Sequence, residues 1–531
     1  MAVTRRKALQ TMAAVGAAAA VPAAVKASPL VPKIRALPPQ PAQWQGQNAA
    51  LSRYYRAAGY PTYAPHPRYL GVLQGNWEQI GRQYGERAGD LIRLVYEGWY
   101  RELLPIQGNV AAMTGYLKQQ RAYYEMLVPE ALELMQGIAL GAAADLRASA
   151  FAAELSDADK ILMINSYFGL QGRPPRGETA ELAPEEEDTH CCSGAVMLPA
   201  ATAEGQTIHC SSEDQHFFPQ EYLVTFVAQP SDPRAHRYTI TDSAGEIGSE
   251  HALNQRGVSV SGYAGGGDKI LAPTLSRPFS GYRRPGLDWQ VGNFFAAAFA
   301  ASAADAVSLL TRGRPEYRKQ SGLEIVVGKC TRGANWVVAD RSSAFVVESI
   351  PADQNGMPRY AVRKPGDLGE RGAAFVASCN NVEAHDSYDA HNRHDPAHPM
   401  RQHGDARAGQ PQHQYFGLNT SGTRFWTFTW LIQNNFGRIT PEMVQGWRRT
   451  HFMYDEAGKR HDTVEVEGKP IVPALAPGSG TLCRHTTSAP GVESYKGVNI
   501  YVSLSLPGEL KCLRTKGRPC EWQGPWDQMQ L

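Results

Sequence analysis

The chain has 531 residues, 43% of them hydrophobic and 20% charged, enough to bury a large core in more than one domain. Its 53 basic residues nearly balance 51 acidic ones, for a formal net charge of +2, so no bulk field draws nucleic acid or anionic lipid to it. The composition favours a small substrate of neutral or mixed charge.

The first 27 residues read as an export signal: Thr4-Arg5-Arg6-Lys7, the small-residue apolar run 13–24, then Val25-Lys26-Ala27 before Ser28. Paired arginines ahead of a weakly apolar stretch point to the twin-arginine route. Ala8 stands where that motif usually has a bulky apolar residue, and a general secretory signal is the competing reading. The run is shorter than the ~20 residues a bilayer span needs, and no later run qualifies. The expectation is a periplasmic or secreted protein without stable membrane insertion.

A Pro- and Gln-rich leader occupies 32–47. Between 70 and 170 apolar residues recur at helical spacing, as in 77–94 and in 129–144, where Pro129 suits a first helical turn. The segment 28–191 is therefore expected to be mostly α. It ends in 172–189, which holds Pro174-Pro175-Arg176-Gly177 and the acidic run Glu185-Glu186-Glu187-Asp188; such a composition cannot bury itself and reads as an exposed linker. From Cys192 the texture turns β-rich, with short runs at 194–198, 207–211, 222–228, 237–241 and 258–262, then a long Ala-rich helix at 291–310. Strands are expected at 335–339, 344–350, 359–362 and 373–377, helices at 424–434 and 441–449, and closing strands near 498–506 and 509–513. Strand groups alternating with helix groups describe an α+β layered protein, with 192–531 as its second domain.

Thr189-His190-Cys191-Cys192-Ser193-Gly194 places cysteine at the junction between the acidic linker and a strand. A thiol there can attack the preceding carbonyl, and water can resolve the resulting ester, breaking the chain before the cysteine. The released α-amine has an unperturbed pKa of about 8, close enough to neutral to serve as base for its own thiol. A lone cysteine opening a strand is ordinarily an inert small hydrophobe. The residues downstream of it change that reading.

In chain order they are Ser212-Glu213-Asp214, Asn254-Gln255-Arg256-Gly257, the run from Gly333 to Asp340, Glu348, Ser378-Cys379-Asn380-Asn381 and Ser421-Gly422-Thr423-Arg424. Together these resemble the autoproteolytic family of isopenicillin N (acyl-CoA:6-aminopenicillanic acid) acyltransferases and related bacterial acyltransferases and hydrolases. The resemblance spans most of the mature chain, motif by motif. It implies a four-layer αββα sandwich of the N-terminal-nucleophile (Ntn) hydrolase class, preceded by a helical pro-segment that resembles 75–85 and 136–142 here. Cys192, followed by Ser193, is the implied nucleophile, with Cys191 where glycine is usual. Asp214 is implied to orient the new α-ammonium and thiol by charge-assisted hydrogen bonds, with Ser212 where the family has Asn. Asn254 is implied in substrate binding. Asn380 is the implied oxyanion donor, with Asn381 where the family has His. Arg424 would hold either the substrate or the Asp214 carboxylate, and Ser421 would cap the helix that carries it. His451, Cys483-Arg484-His485 and Gly517-Arg518-Pro519-Cys520 resemble closing motifs of the framework.

The resemblance also implies a small-molecule amide or acyl-thioester substrate, no cofactor, and two self-cleaved fragments that remain associated. A phospholipase B-like ester hydrolase, whose nucleophile also lies in a Cys-Ser context, is an alternative. A catalytically inactive exported binding protein of the same fold is another, motivated by Ser212 and Asn381. The eight cysteines include no CxxC pair and no Cys/His spacing typical of zinc, so no metal is expected from them. Cys483, Cys512 and Cys520 are close enough in sequence for one disulfide in an oxidising compartment. The cluster His385, Asp386, Asp389, His391, His394, Asp395, His398 and His403 has residue types able to bind a divalent ion, but its spacing suits no single helix or strand and it reads as a polar surface insertion.

Overall fold

The computed structural model describes residues 67–170, 192–215, 222–264, 286–315, 334–350, 359–379 and 420–455, and shorter stretches from 457 to 531. The export segment, the acidic linker, Cys191, Asn380 and the His/Asp-rich cluster at 385–403 lie outside the described residues.

The N-terminal part is helical: α1 Trp77–Gln107, α2 Val110–Leu127, α3 Pro129–Gly141, α4 Ala143–Arg147, α5 Asp157–Ile164 and α6 Tyr167–Leu170. Asn76 and Gln79 form a reciprocal capping box that starts α1. The helix runs past the expected stop at 94 because Val95, Trp99, Tyr100 and Leu103 keep its buried stripe going. Glycines set its crossing with α3. A Cβ on Gly81 or Gly85 would collide with the α3 backbone at Leu134 and Ile138, and one on Gly137 or Gly141 with the carbonyls of Glu78 and Arg82. This explains the glycine spacing in both segments.

The strands are β1 Arg68–Gly75, β2 Ser193–Met197, β3 Ile208–Gln215, β4 Leu223–Pro230, β5 Tyr238–Ser243, β6 His251–Leu253, β7 Ser259–Ala264, β8 Ala334–Ala339, β9 Ala344–Ile350, β10 Arg359–Arg363 and β11 Phe375–Cys379, two small hairpins (β12 Met453–Tyr454 with β13 Arg460–His461, β14 Val464–Val466 with β15 Lys469–Ile471), and β16 Val498–Leu506, β17 Lys511–Lys516 and β18 Asp527–Gln530. They form sheets ordered β1-β4-β5, β10-β9-β8-β7-β6 and β11-β2-β3-β16-β17-β18. β1 lies where a helical segment was expected to begin; it is extended because it pairs in parallel with β4, a partner far along the chain that local periodicity does not show. The helix expected at 291–310 is two, α7 Trp289–Phe299 and α8 Ala303–Arg312, since Ala300 is extended and Ser302 caps α8 by accepting from Asp305 N–H. Two further helices, α9 Thr420–Asn434 and α10 Pro441–Trp447, follow β11.

Two of the sheets face each other. Val196 of β2 and Val376 of β11 pack against Tyr263, Val337 and Val346 of the β10-to-β6 sheet. The opposite face of β2, Ala195 and Met197, packs against Phe425, Phe428, Leu431 and Ile432 of α9. On the far side Trp336, Val338 and Val347 share a core with Phe294 and Phe295 of α7. The layers are therefore helix, sheet, sheet, helix, an αββα arrangement within the α+β class. The N-terminal helices are continuous with it: Trp77 stacks edge-on against Phe294, Arg314 pairs with Glu130, and Tyr84 accepts from Gly245 N–H at 2.7 Å.

Candidate active site

Cys192 immediately precedes β2, and strand alternation decides where its side chain goes. Residues 193, 195 and 197 face α9, so Cys192, Gly194 and Val196 face the space between the two sheets. The thiol is 2% exposed. Gly194 is required by close approach, since a Cβ there would collide with the Tyr263 hydroxyl and the Cys210 carbonyl.

Cys192 Sγ donates to Glu250 Oε2 at 3.4 Å. The Asp214 backbone N–H also points at this sulfur. Around it lie more buried carboxyls: Glu250 N–H donates to Asp242 Oδ2 at 3.0 Å, and Glu246 accepts from the Gln290 amide at 2.8 Å. Burial pushes the Cys192 thiol well above its ordinary pKa, and the charges of Glu250 and Asp214 push it further. Burial raises Glu250 in the same way, helped by Glu213, Asp214 and Asp242. Glu213 and Glu246 are raised by burial and by crowding with Asp242, itself raised to about 6. The site holds the thiol protonated and has an excess of acceptors for a positive charge.

Behind the thiol, on the α9 face of the sheet, Asp214 is fully buried. Its carboxylate accepts from Arg424 Nη1 at 3.0 Å and from the Asn499 amide at 2.5 Å. Burial raises its pKa to about 6 against the opposing pull of Arg424 and Arg448. Asn499 sits directly opposite Asp214 in the pairing of β3 with β16. Arg448, just past α10, donates to the Ser193 carbonyl at 2.7 Å and to Ser212 Oγ at 3.2 Å, with its guanidinium 4.5 Å from the Phe428 ring. It grips the residue after the candidate nucleophile, and Ser212 is one of its acceptors. Glu250, Asn499 and Arg448 carry no motif in the sequence; only the β3–β16 register and the fold bring them here.

Of the other residues singled out in the sequence, Arg424 is on the Asp214 carboxylate, one of its two expected positions. Helix α9 starts at Thr420, ahead of Ser421, the residue expected to cap it. Asn254, implied in substrate binding, is engaged with backbone on every side. Its amide donates to the carbonyls of Ala297 and Ala300 at the end of α7 and its oxygen accepts from Arg256 and Val258 N–H in the β6–β7 turn, which uses its whole hydrogen-bonding capacity on backbone groups. Asn335 donates to the Cys379 carbonyl at 2.7 Å, and Glu348 pairs with Arg363 at 3.1 Å, both buried, so these hold strands together. The buried imidazole of His209, bonded to Ser259 and Ser261 across the sheets, is pushed down to about 3 by burial and is neutral. Cys512, expected among three cysteines available for a disulfide, is unbridged and lies 2.9 Å from Ser505 Oγ on the adjacent strand.

No family model matches this chain, and no curated protein does. Solved structures similar to it include a mutant conjugated bile acid hydrolase from Clostridium perfringens, with TM-score 0.31 and 10% identity over 61% of this chain and 89% of that one. Penicillin V acylase from Agrobacterium tumefaciens has TM-score 0.31 and 12% identity over 61% and 83%. A Caenorhabditis elegans ortholog of N-acylethanolamine-hydrolyzing acid amidase has TM-score 0.23 and 14% identity over 36% and 71%. No helix among the described residues is long and apolar enough to cross a membrane.

Proposed function

We propose that this chain is an exported Ntn amide hydrolase or acyltransferase that generates its own N-terminal nucleophile by cutting before Cys192. The observation that carries the reading is the placement of Cys192: the residue just before the interior strand β2, its thiol turned into the inter-sheet space, hydrogen-bonded to Glu250 and ringed by carboxyls.

In the first step the Cys192 sulfur attacks the carbonyl of Cys191. The S–C bond forms, the 191–192 C–N bond breaks, and the amide nitrogen takes a proton to become the α-amine. Water then hydrolyses the thioester, leaving a carboxylate on Cys191 and a free thiol on Cys192. Glu250 is placed to take the thiol proton in the attack. The pocket changes character afterwards. A new α-ammonium beside Glu213, Asp214 and Glu250 favours the ionised carboxylates that burial disfavours in the intact chain, and a nearby cation likewise favours the thiolate.

On substrate, the thiolate attacks an amide carbonyl, the Cys192 amine protonates the leaving nitrogen, and water or a second amine takes the acyl group. Asn380 with backbone N–H groups holds the oxyanion. The twin-arginine segment directs the protein to the periplasm or beyond. The shared core of the N-terminal helices with α7 supports two fragments that stay associated after cleavage.

Incubation of the purified protein with a panel of electrophilic N-acyl amides tests the activity. Acylation of Cys192 alone, absent in Cys192→Ala, supports an amide-cleaving enzyme. Labelling of another cysteine, or lipid release from vesicles without amide turnover, overturns it.

A further inference from the structure

His451, Cys483 and Cys520 are far apart in sequence, and each comes from a different element: the segment just past α10, a short buried stretch ahead of β16, and the turn at Pro519 before the last strand. The fold brings them together. One donor atom from each, an imidazole nitrogen or a sulfur, lies within 4.8 Å of the other two. In a tetrahedral zinc site with Zn–S near 2.3 Å and Zn–N near 2.0 Å the donors stand roughly 3.5–3.8 Å apart, so closing these three onto an ion takes about 1 Å of movement.

The backbone around the three is tied down. Cys483 N–H donates to the Thr450 carbonyl at 3.3 Å, next to His451; Thr481 Oγ1 donates to the Cys483 carbonyl at 2.7 Å; Trp522 N–H donates to the Pro519 carbonyl at 3.2 Å across Cys520. Cys483 is buried while His451 and Cys520 are half-buried, so an ion has a route in and two thiols that can ionise on binding it. Two thiolates and one imidazole form a soft, borderline donor set, suited to zinc and unsuited to magnesium or calcium.

We propose that His451, Cys483 and Cys520 bind a zinc-class divalent ion, with water completing the tetrahedron. Its neighbours Leu482, Trp447 and Trp522 belong to the core on the α9 side of the sheet, away from the Cys192 thiol, so the ion is a clamp and not part of the acyl chemistry. It joins the C-terminal turn to the segment that carries Arg448, three residues before His451, and Arg448 holds the Ser193 carbonyl. The inference is independent of self-cleavage.

The test uses the full chain purified without chelator. Elemental analysis should find about one zinc per chain. After removal of the ion with dipicolinate, Co(II) titration should give a thiolate-to-cobalt charge-transfer band in the near ultraviolet and intense visible bands of tetrahedral cobalt. Cys483→Ser and Cys520→Ser should each lower zinc content at least tenfold, and His451→Gln should weaken cobalt binding at least tenfold. The titration of the unmutated protein needs no variant to fold. A chain with no zinc and no charge-transfer band overturns the proposal, as does retention of full metal content in Cys483→Ser. A Cys483–Cys520 disulfide in a non-reduced peptide map of the exported protein also overturns it.

Discussion

Cys192 Sγ stands 3.4 Å from Glu250 Oε2, and both groups are sealed from water between two sheets. In the intact chain burial and three nearby carboxyls raise the thiol's pKa and keep it protonated. The thiol therefore needs an acceptor before it can attack, and among the described residues Glu250 is within reach.

Glu250→Gln keeps the size and a hydrogen-bond acceptor but cannot take a proton at neutral pH. It should slow cleavage at 191–192 by about 10²-fold, the scale of a lost general base. The fraction of intact chain, followed by mass spectrometry after synthesis, measures this. Wild-type cleavage kinetics in the variant would exclude Glu250 from the step.

The same carboxyl gives a pH signature in the uncleaved Cys192→Ala protein. Burial raises Glu250 above its unfolded value, so its contribution to stability is fully present below about pH 4.3 and is lost as pH rises towards its raised folded pKa. Glutamine does not titrate. The urea midpoint of Cys192→Ala/Glu250→Gln minus that of Cys192→Ala should therefore become more positive from pH 5 to pH 8. A difference that is flat or falls with pH contradicts the raised pKa.

Asp214 and Arg424 form a pair with no exposure on either side chain. Asp214→Asn replaces the carboxylate that Arg424 donates to with a neutral amide, and should cost roughly 3 kcal/mol in the Cys192→Ala background. Asp214→Asn/Arg424→Met should recover part of that loss. Urea denaturation measures both, and strictly additive losses would show that the pair is not coupled.

Two glycines test the helical segment. Gly137→Ala drives a methyl into the Glu78 carbonyl and should destabilise by about 1–3 kcal/mol. Gly115→Ala on α2 meets nothing within 4 Å and should stabilise by about 0.5–1 kcal/mol. Equal effects at the two positions would remove the tight α1–α3 crossing from the account.

Much of this was readable from residues alone. The period-2 runs after Cys192 mark most strands to within a few residues, and the α+β layering comes from their grouping. The pairing of Arg424 with Asp214 was one of two positions the sequence left open. The relationships that escaped it share a cause, which is contact across long sequence separation. β1 is a strand only because β4 lies beside it; Asn499 reaches Asp214 through strand register; Glu250 and Arg448 reach Cys192 and Ser193 through packing. Asn254 was implied in substrate binding by the family resemblance alone, and the four backbone partners of its amide come from a helix end and a turn that the motif does not show.

The cut before Cys192 is the centre of the account, and N-terminal sequencing with intact mass of the purified chain tests it most directly. The prediction is two associated fragments, the larger beginning Cys192-Ser193-Gly194. Cys191→Gly should still mature, Cys192→Ala should remain one chain, and Cys192→Ser should mature slowly and be nearly inactive because serine is far less ionised at neutral pH. A wild-type protein that stays intact after export contradicts the account, and a large fragment that begins with two cysteines moves the nucleophile to Cys191.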